Sequence, residues 1–251
     1  MCTLAIAWQC LPETPIAVAA NRDERFDRPA SAPTTYRETP LVIAPRDETA
    51  GGTWIGYNEF GLFVGITNRW VDRDGVRSRG TLVAECLSYN TVDEASSFVV
   101  DTVGENHYAG FNLVLADATD AILFEYDGSL HKTTFDPGVH VVVNVGADGS
   151  QFESPSHPDR GAAQAAAAAI VRDELAVNKD ETADAWLERA GAVLGDHEFA
   201  VCIHGDGFGT RSSSLISLQT DGDRIRDKYL FASGPPCQTT FEPISETDRL
   251  Y

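Results

Sequence analysis

Directly behind the initiator methionine stands a cysteine, and one short apolar stretch separates it from the polar run Asn21-Arg22-Asp23-Glu24. Cysteine at position 2 is small enough for a methionine aminopeptidase to expose. Loss of Met1 would leave Cys2 with a thiol and a free α-amine on one residue. Unperturbed, the amine titrates at about 7.7–8.0 and the thiol at about 8.5. A nucleophile and a base near neutrality then come as a pair. A guanidinium beside them would favour the thiolate, and a carboxylate would hold or orient the amine. The competing account is a small apolar residue at position 2 and a solvated charged turn at 21–24, so what decides is whether the chain brings the two together.

The intervening residues read as a hairpin. Residues 3–8 are β-prone, Pro12-Glu13-Thr14-Pro15 is turn material, and residues 16–20 form a second short apolar strand. Antiparallel strands of that length return the end of the second beside the start of the first. Asp23 and Arg22 are therefore expected next to Cys2.

These residues resemble the NRDE family, also called the transport and Golgi organisation 2 family. Further segments agree with it: Gly51-Gly52-Thr53-Trp54-Ile55-Gly56, Asn58-Glu59-Phe60-Gly61, Gly65-Ile66-Thr67-Asn68-Arg69 and Gly209-Thr210-Arg211-Ser212-Ser213. The resemblance spans nearly the whole chain. That family is similar in turn to N-terminal-nucleophile hydrolases with an amino-terminal cysteine, such as penicillin V acylase and bile salt hydrolase. The resemblance implies an α+β fold, a four-layer αββα sandwich, with residues 1–251 as one domain. Function has to be argued from the site.

By that resemblance Cys2 is the nucleophile, and Asn68, at the end of a strand, donates its amide to an oxyanion. Asn144, after the run 139–143, completes the oxyanion and substrate contacts, and Arg211 is the family's late arginine beside the nucleophile. Arg22 and Trp54 are expected at the substrate. In the related amidases the early run is Arg-Asn-x-Asp, so Asp23 keeps its register while Arg22 does not. Around Asn144 the run Val-Val-Val-Asn-Val-Gly departs from the commoner Leu-Ser-Asn type. The expected function is cysteine amidohydrolysis of a small-molecule amide. Because the family is associated with lipid metabolism and haem handling, a non-catalytic lipid or haem carrier is the alternative. A redox-responsive thiol protein using Cys2 and Cys10 is a third reading.

Composition narrows the partners. The formal net charge is −19, and the only lysines are Lys132, Lys179 and Lys228. An acidic, lysine-poor surface is what a protein needing solubility in concentrated salt carries, so a salt-loving source is expected. Such a field repels phosphate backbones and anionic membranes, which argues against nucleic acid as partner. The five cysteines show no paired spacing, Pro12 and Glu13 interrupt the early apolar run, and no stretch has the length of a membrane span. A cytoplasmic protein with reduced thiols is expected. Cys202-Ile203-His204 has no partner ligands at metal spacing, so no metal and no cofactor are expected.

The remaining chain reads as positioning material. Residues 25–52, rich in Pro, Arg, Thr and Asp, are expected to be a long irregular connection that gates the site. Residues 54–57 and 62–67 read as a hairpin. Two helices follow, the second opened by the capping box Thr91-Val92-Asp93-Glu94, with Cys86 on a buried stripe. Strands are expected at 111–116, 121–126, 130–135 and 139–143, with Asp127-Gly128 as a hairpin turn. Alanine-rich helices at 159–175 and 182–194 suit close packing, with no chemistry visible in them. Gly205-Asp206-Gly207-Phe208-Gly209 precedes a strand at 214–218, not a helix, so it is not read as a phosphate loop.

Overall fold

The structure is a computed structural model that describes residues 2–221 and 224–245. Strands β1 (Thr3–Leu11) and β2 (Thr14–Arg25) form the expected hairpin, with Thr3 opposite Asn21. On its other edge β1 pairs with β10 (Gly138–Val143), which leads to β11 (Gly146–Ala147). β2 pairs with the long β12 (Phe208–Asp221), followed by β13 (Arg224–Ala232) and β14 (Glu242–Pro243). These make one seven-stranded antiparallel sheet. The second, also seven-stranded, runs in chain order: β3 (Ala30–Glu38), β4 (Leu41–Asp47), β5 (Ile55–Asn58), β6 (Phe63–Asn68), β7 (Phe111–Ala116), β8 (Ala121–Tyr126) and β9 (Leu130–Thr134).

The period-two alternation of β1 sets the layers. Leu4, Ile6 and Trp8 face the second sheet and join Ile43, Tyr57, Phe63 and Val114 in the inter-sheet core. Ala5 and Ala7 face the other way, where small side chains let helices α3 (Pro158–Glu174) and α4 (Ala183–Gly195) pack through Ala168, Val171, Trp186 and Ala190. On the far side, α1 (Arg79–Cys86) and α2 (Val92–Glu105) cover the second sheet, burying Leu82, Val83, Cys86 and Val99 against Val64 and Leu113. The result is the four-layer αββα sandwich. Thr91 and Thr182 cap α2 and α4 by accepting from the backbone N–H groups of Glu94 and Ala185. Among the described residues no helix is long and apolar enough to cross a membrane.

Two expectations are corrected. Residues 25–52 are not an irregular connection: β3 and β4 pair antiparallel across most of that stretch. β3 is an edge strand interrupted by register shifts, and such a strand tolerates Pro33, whose missing N–H would interrupt a central ladder. In addition β13, not foreseen, pairs along β12 and buries Tyr229 and Ala232, with Leu230 and Phe231 between them half-buried.

Candidate active site

At one end of the sandwich the start of β1 and the ends of β2 and β6 converge around a cavity of about 470 Å³. Cys2, Asp23, Asn68, Arg22 and Trp54 all line it. The hairpin register does what the sequence suggested. The Cys2 thiol points at the Asp23 backbone carbonyl, 3.7 Å away, and the Asp23 carboxylate accepts from Thr210 Oγ1 at 2.6 Å. Burial pushes the Cys2 thiol above its ordinary pKa, with the Asp23 charge adding to the shift and the Arg22 guanidinium opposing it. Burial likewise raises Asp23. Both groups therefore give up their protons less readily than they would in water.

The two asparagines are in different situations. The Cys2 nitrogen donates to Asn144 Oδ1 at 2.9 Å. Asn144 is 2 % exposed; its Oδ1 also accepts from Gln164 Nε2 at 2.9 Å, and its Nδ2 donates to the Asn68 backbone carbonyl at 2.7 Å. The Asn144 backbone N–H in turn donates to Gln164 Oε1 at 3.1 Å. Asn144 therefore fixes the nitrogen of Cys2 and ties the end of β10 to the end of β6. The side chain of Asn68 is exposed at the cavity and has no hydrogen-bond partner among the described residues. Behind it, the fully buried Asn112 bridges the sheets, donating to Thr67 Oγ1 at 3.0 Å and to the Val143 carbonyl at 2.7 Å. Arg69, paired with Glu125 at 2.7 Å, donates to Asn112 Oδ1 at 2.9 Å.

Although the chain is strongly acidic, its cavity gathers four arginines against three acids: Arg22, Arg28, Arg77 and Arg79 with Asp23, Glu24 and Asp47. Arg77 is held by both oxygens of Glu85, and Arg28 lies 2.7 Å from Asp47. Arg22 lies over the Trp54 ring at 4.2 Å and 3.6 Å from Glu24. Among the described residues Arg79 donates only to the Gly110 carbonyl, at 2.7 Å, and has no carboxylate at ion-pair distance. Gly52 makes this corner. A Cβ there would sit 2.2 Å from the Gly80 carbonyl carbon, so only glycine lets the Trp54 loop meet the start of α1.

Arg211 is not brought to Cys2. The β2–β12 register shifts between Thr210, opposite Asp23, and Ser212, opposite Arg22, leaving Arg211 as the bulged residue. It lies over the Phe26 ring at 5.9 Å and lines a separate cavity of about 80 Å³, beyond the Arg22–Trp54 pair. Bulges re-aim side chains in this way. Asn21 is likewise structural, its amide donating to the carbonyls of Leu194 and Val201 at 3.0 and 2.9 Å.

Sequence reasoning missed Gln164, Asn112 and Arg79. The first two carried a signal: Gln164 is a lone amide within an alanine run, and Asn112 interrupts the apolar strand Phe111–Ala116. A buried amide in an apolar element needs partners, and here the partners are the site. Arg79 gave none, because the lack of a carboxylate at ion-pair distance among the described residues is a tertiary property.

Comparison with known proteins bears on the family and the fold. A family model described as transport and Golgi organisation 2 matches residues 1–226. The transport and Golgi organization protein 2 homolog of Bos taurus is 28% identical over 261 residues, covering 94% of this chain and 92% of its own. In fold the chain is similar to penicillin V acylase from Agrobacterium tumefaciens, with a TM-score of 0.61, 15% identity and coverage of 97% of this chain and 86% of the acylase. It is also similar to a variant of conjugated bile acid hydrolase from Clostridium perfringens, with a TM-score of 0.58, 12% identity and coverage of 100% and 96%. With the N-terminal-nucleophile hydrolase fold in place and the family match running from the cysteine end through β12 into β13, the chain belongs to the transport and Golgi organisation 2 family.

Proposed function

We propose that this protein is an N-terminal cysteine amidohydrolase acting on a small amide that carries an acidic group. The observation that carries the reading is the Cys2 nitrogen held at 2.9 Å by Asn144 Oδ1, with the thiol of the same residue lining the cavity. Once Met1 is removed, that nitrogen is an amine and takes the thiol proton. The thiolate attacks the amide carbonyl, and the ammonium returns the proton to the leaving nitrogen as the C–N bond breaks. Water, deprotonated by the same amine, then cleaves the thioester and restores the thiol. Asn68, whose amide is not committed elsewhere among the described residues, stabilises the developing oxyanion. Asp23 orients the amine, Arg22 and Trp54 form one wall, and Arg79 receives the acidic group.

The amine matters because burial works against the thiol. Iodoacetamide labelling at neutral pH, read by peptide mass spectrometry, tests this directly. Cys2 in protein lacking Met1 is expected to label far faster than Cys10, whose thiol burial pushes up to about 11, and than the fully buried Cys86. A variant with one extra residue between Met1 and Cys2 is expected to lose both the rapid labelling and turnover. Slow labelling of Cys2 in the Met1-free form, equal to that of the extended variant, refutes the mechanism and leaves a carrier on the same fold.

A further inference from the structure

Beyond the end of α4, where the loop before β12 meets the turn after β13, four soft ligands come together: His197, Cys202, His204 and Cys237. Their ligand atoms all lie within 4.8 Å of one another. Spacing along the chain gives Cys202-Ile203-His204 no further ligands and hence no metal. The fold supplies two more, one from the short 3-10 turn His197–Phe199 and one from the turn that follows β13. We propose that these residues form a tetrahedral zinc site of the Cys2His2 type.

The distances suit the ion. Zn–S of about 2.3 Å and Zn–N of about 2.0–2.1 Å at tetrahedral angles require about 3.8 Å between sulfurs and about 3.6 Å between sulfur and nitrogen. The sulfurs of Cys202 and Cys237 are 3.5 Å apart, and His204 Nε2 is 3.6 Å from the first and 3.2 Å from the second. The His197 ring stacks on that of His204 with centroids 5.1 Å apart, and its ligand nitrogen lies within 4.8 Å of the other three ligand atoms. Two sulfurs and two imidazole nitrogens select zinc over hard, oxygen-seeking cations. Binding replaces two S–H bonds with S–Zn bonds and releases two protons to solvent, with no electron transfer.

Four protein ligands leave no open position, so this site is structural. Its place in the fold says what it holds. Val201, next to Cys202, accepts from Asn21 on β2, and Gly195 at the end of α4 lies against the backbone of Pro236 and Cys237. A zinc ion would clamp the turn after β13 to the loop before β12, behind the strand that carries Asp23. The inference stands independently of the hydrolase reading.

The test uses the whole protein, expressed in zinc-supplemented medium and purified without chelator. Plasma mass spectrometry is expected to find about one zinc per chain. His197→Ala, at an exposed position, and Cys237→Ser are each expected to lower that content severalfold, while Cys10→Ser leaves it unchanged. Cobalt added to chelated wild-type protein is expected to give thiolate charge-transfer and intense tetrahedral d–d bands, which decides the matter even if the cysteine variant fails to fold. Substoichiometric zinc together with a cobalt spectrum typical of six oxygen ligands overturns the proposal. So does recovery of a Cys202–Cys237 disulfide peptide from freshly purified protein digested without reductant.

Discussion

Two asparagines stand at the ends of neighbouring strands, and replacing each with alanine should separate a rate effect from a stability effect. Asn144 spends its amide on three partners: Cys2, Gln164 and the Asn68 carbonyl. Asn144→Ala leaves the buried Gln164 amide and the half-buried Cys2 nitrogen without their acceptor. Each orphaned group costs about 1–3 kcal/mol, so a loss of about 2–6 kcal/mol is expected. Asn68 presents an exposed amide with no partner among the described residues, so Asn68→Ala should change stability by less than about 0.5 kcal/mol. If that amide meets the oxyanion, turnover should instead fall about 10²–10³-fold. Urea melts followed by circular dichroism give the first quantity for both variants. The second comes from hydrolysis of an acidic N-acyl anilide, chosen from a panel by its turnover on wild-type protein. An Asn68→Ala protein that loses stability and keeps its rate, or an Asn144→Ala protein as stable as wild type, refutes the division of roles.

Three further outcomes are expected. Arg79→Ala removes the cavity's guanidinium that has no carboxylate partner among the described residues. A charged hydrogen bond of about 1.5–3 kcal/mol predicts a roughly ten- to hundredfold rise in KM for acidic amides, with kcat and neutral substrates little changed; an unchanged KM removes Arg79 from recognition. Asn21→Ala should destabilise the protein by about 2–4 kcal/mol, since the buried carbonyls of Leu194 and Val201 each lose a donor. A melt indistinguishable from wild type would show that this anchor is dispensable. With a formal net charge of −19, the melting temperature should rise as KCl increases, because the Debye length shrinks from about 30 Å at 0.01 M to about 3 Å at 1 M. A melting temperature insensitive to KCl counts against a surface adapted to salt.

Much of the site was legible before any coordinates. A register shift between Trp8 and Leu11 sets the observed pairing of Thr3 with Asn21, while the hairpin between Cys2 and Asp23 needs only strand length and a turn, both local properties. The same holds for Asn68 at the end of β6 and for helices whose caps and stripes are written in sequence. Residues 25–52 misled because proline and charge weaken a central strand but are tolerated at an edge, and only the sheet order says which strand is the edge.

What the sequence by itself determined was therefore the set of short-range encounters: a cysteine at the chain start, an aspartate delivered to it, and apolar periods that demand layered sheets and helices. The tertiary structure alone decided which polar groups are spent and which are left over. A single bulge between Thr210 and Ser212 turns Arg211 out of the cavity, while Arg79, silent in sequence, stands in it with no carboxylate at ion-pair distance among the described residues. It also decided that Gln164 reaches Asn144 and that Cys237 reaches Cys202. The physical reason is common to all four. Whether a side chain is paired, exposed or part of a cluster depends on packing between residues far apart in the chain, and local pattern carries no record of those partners.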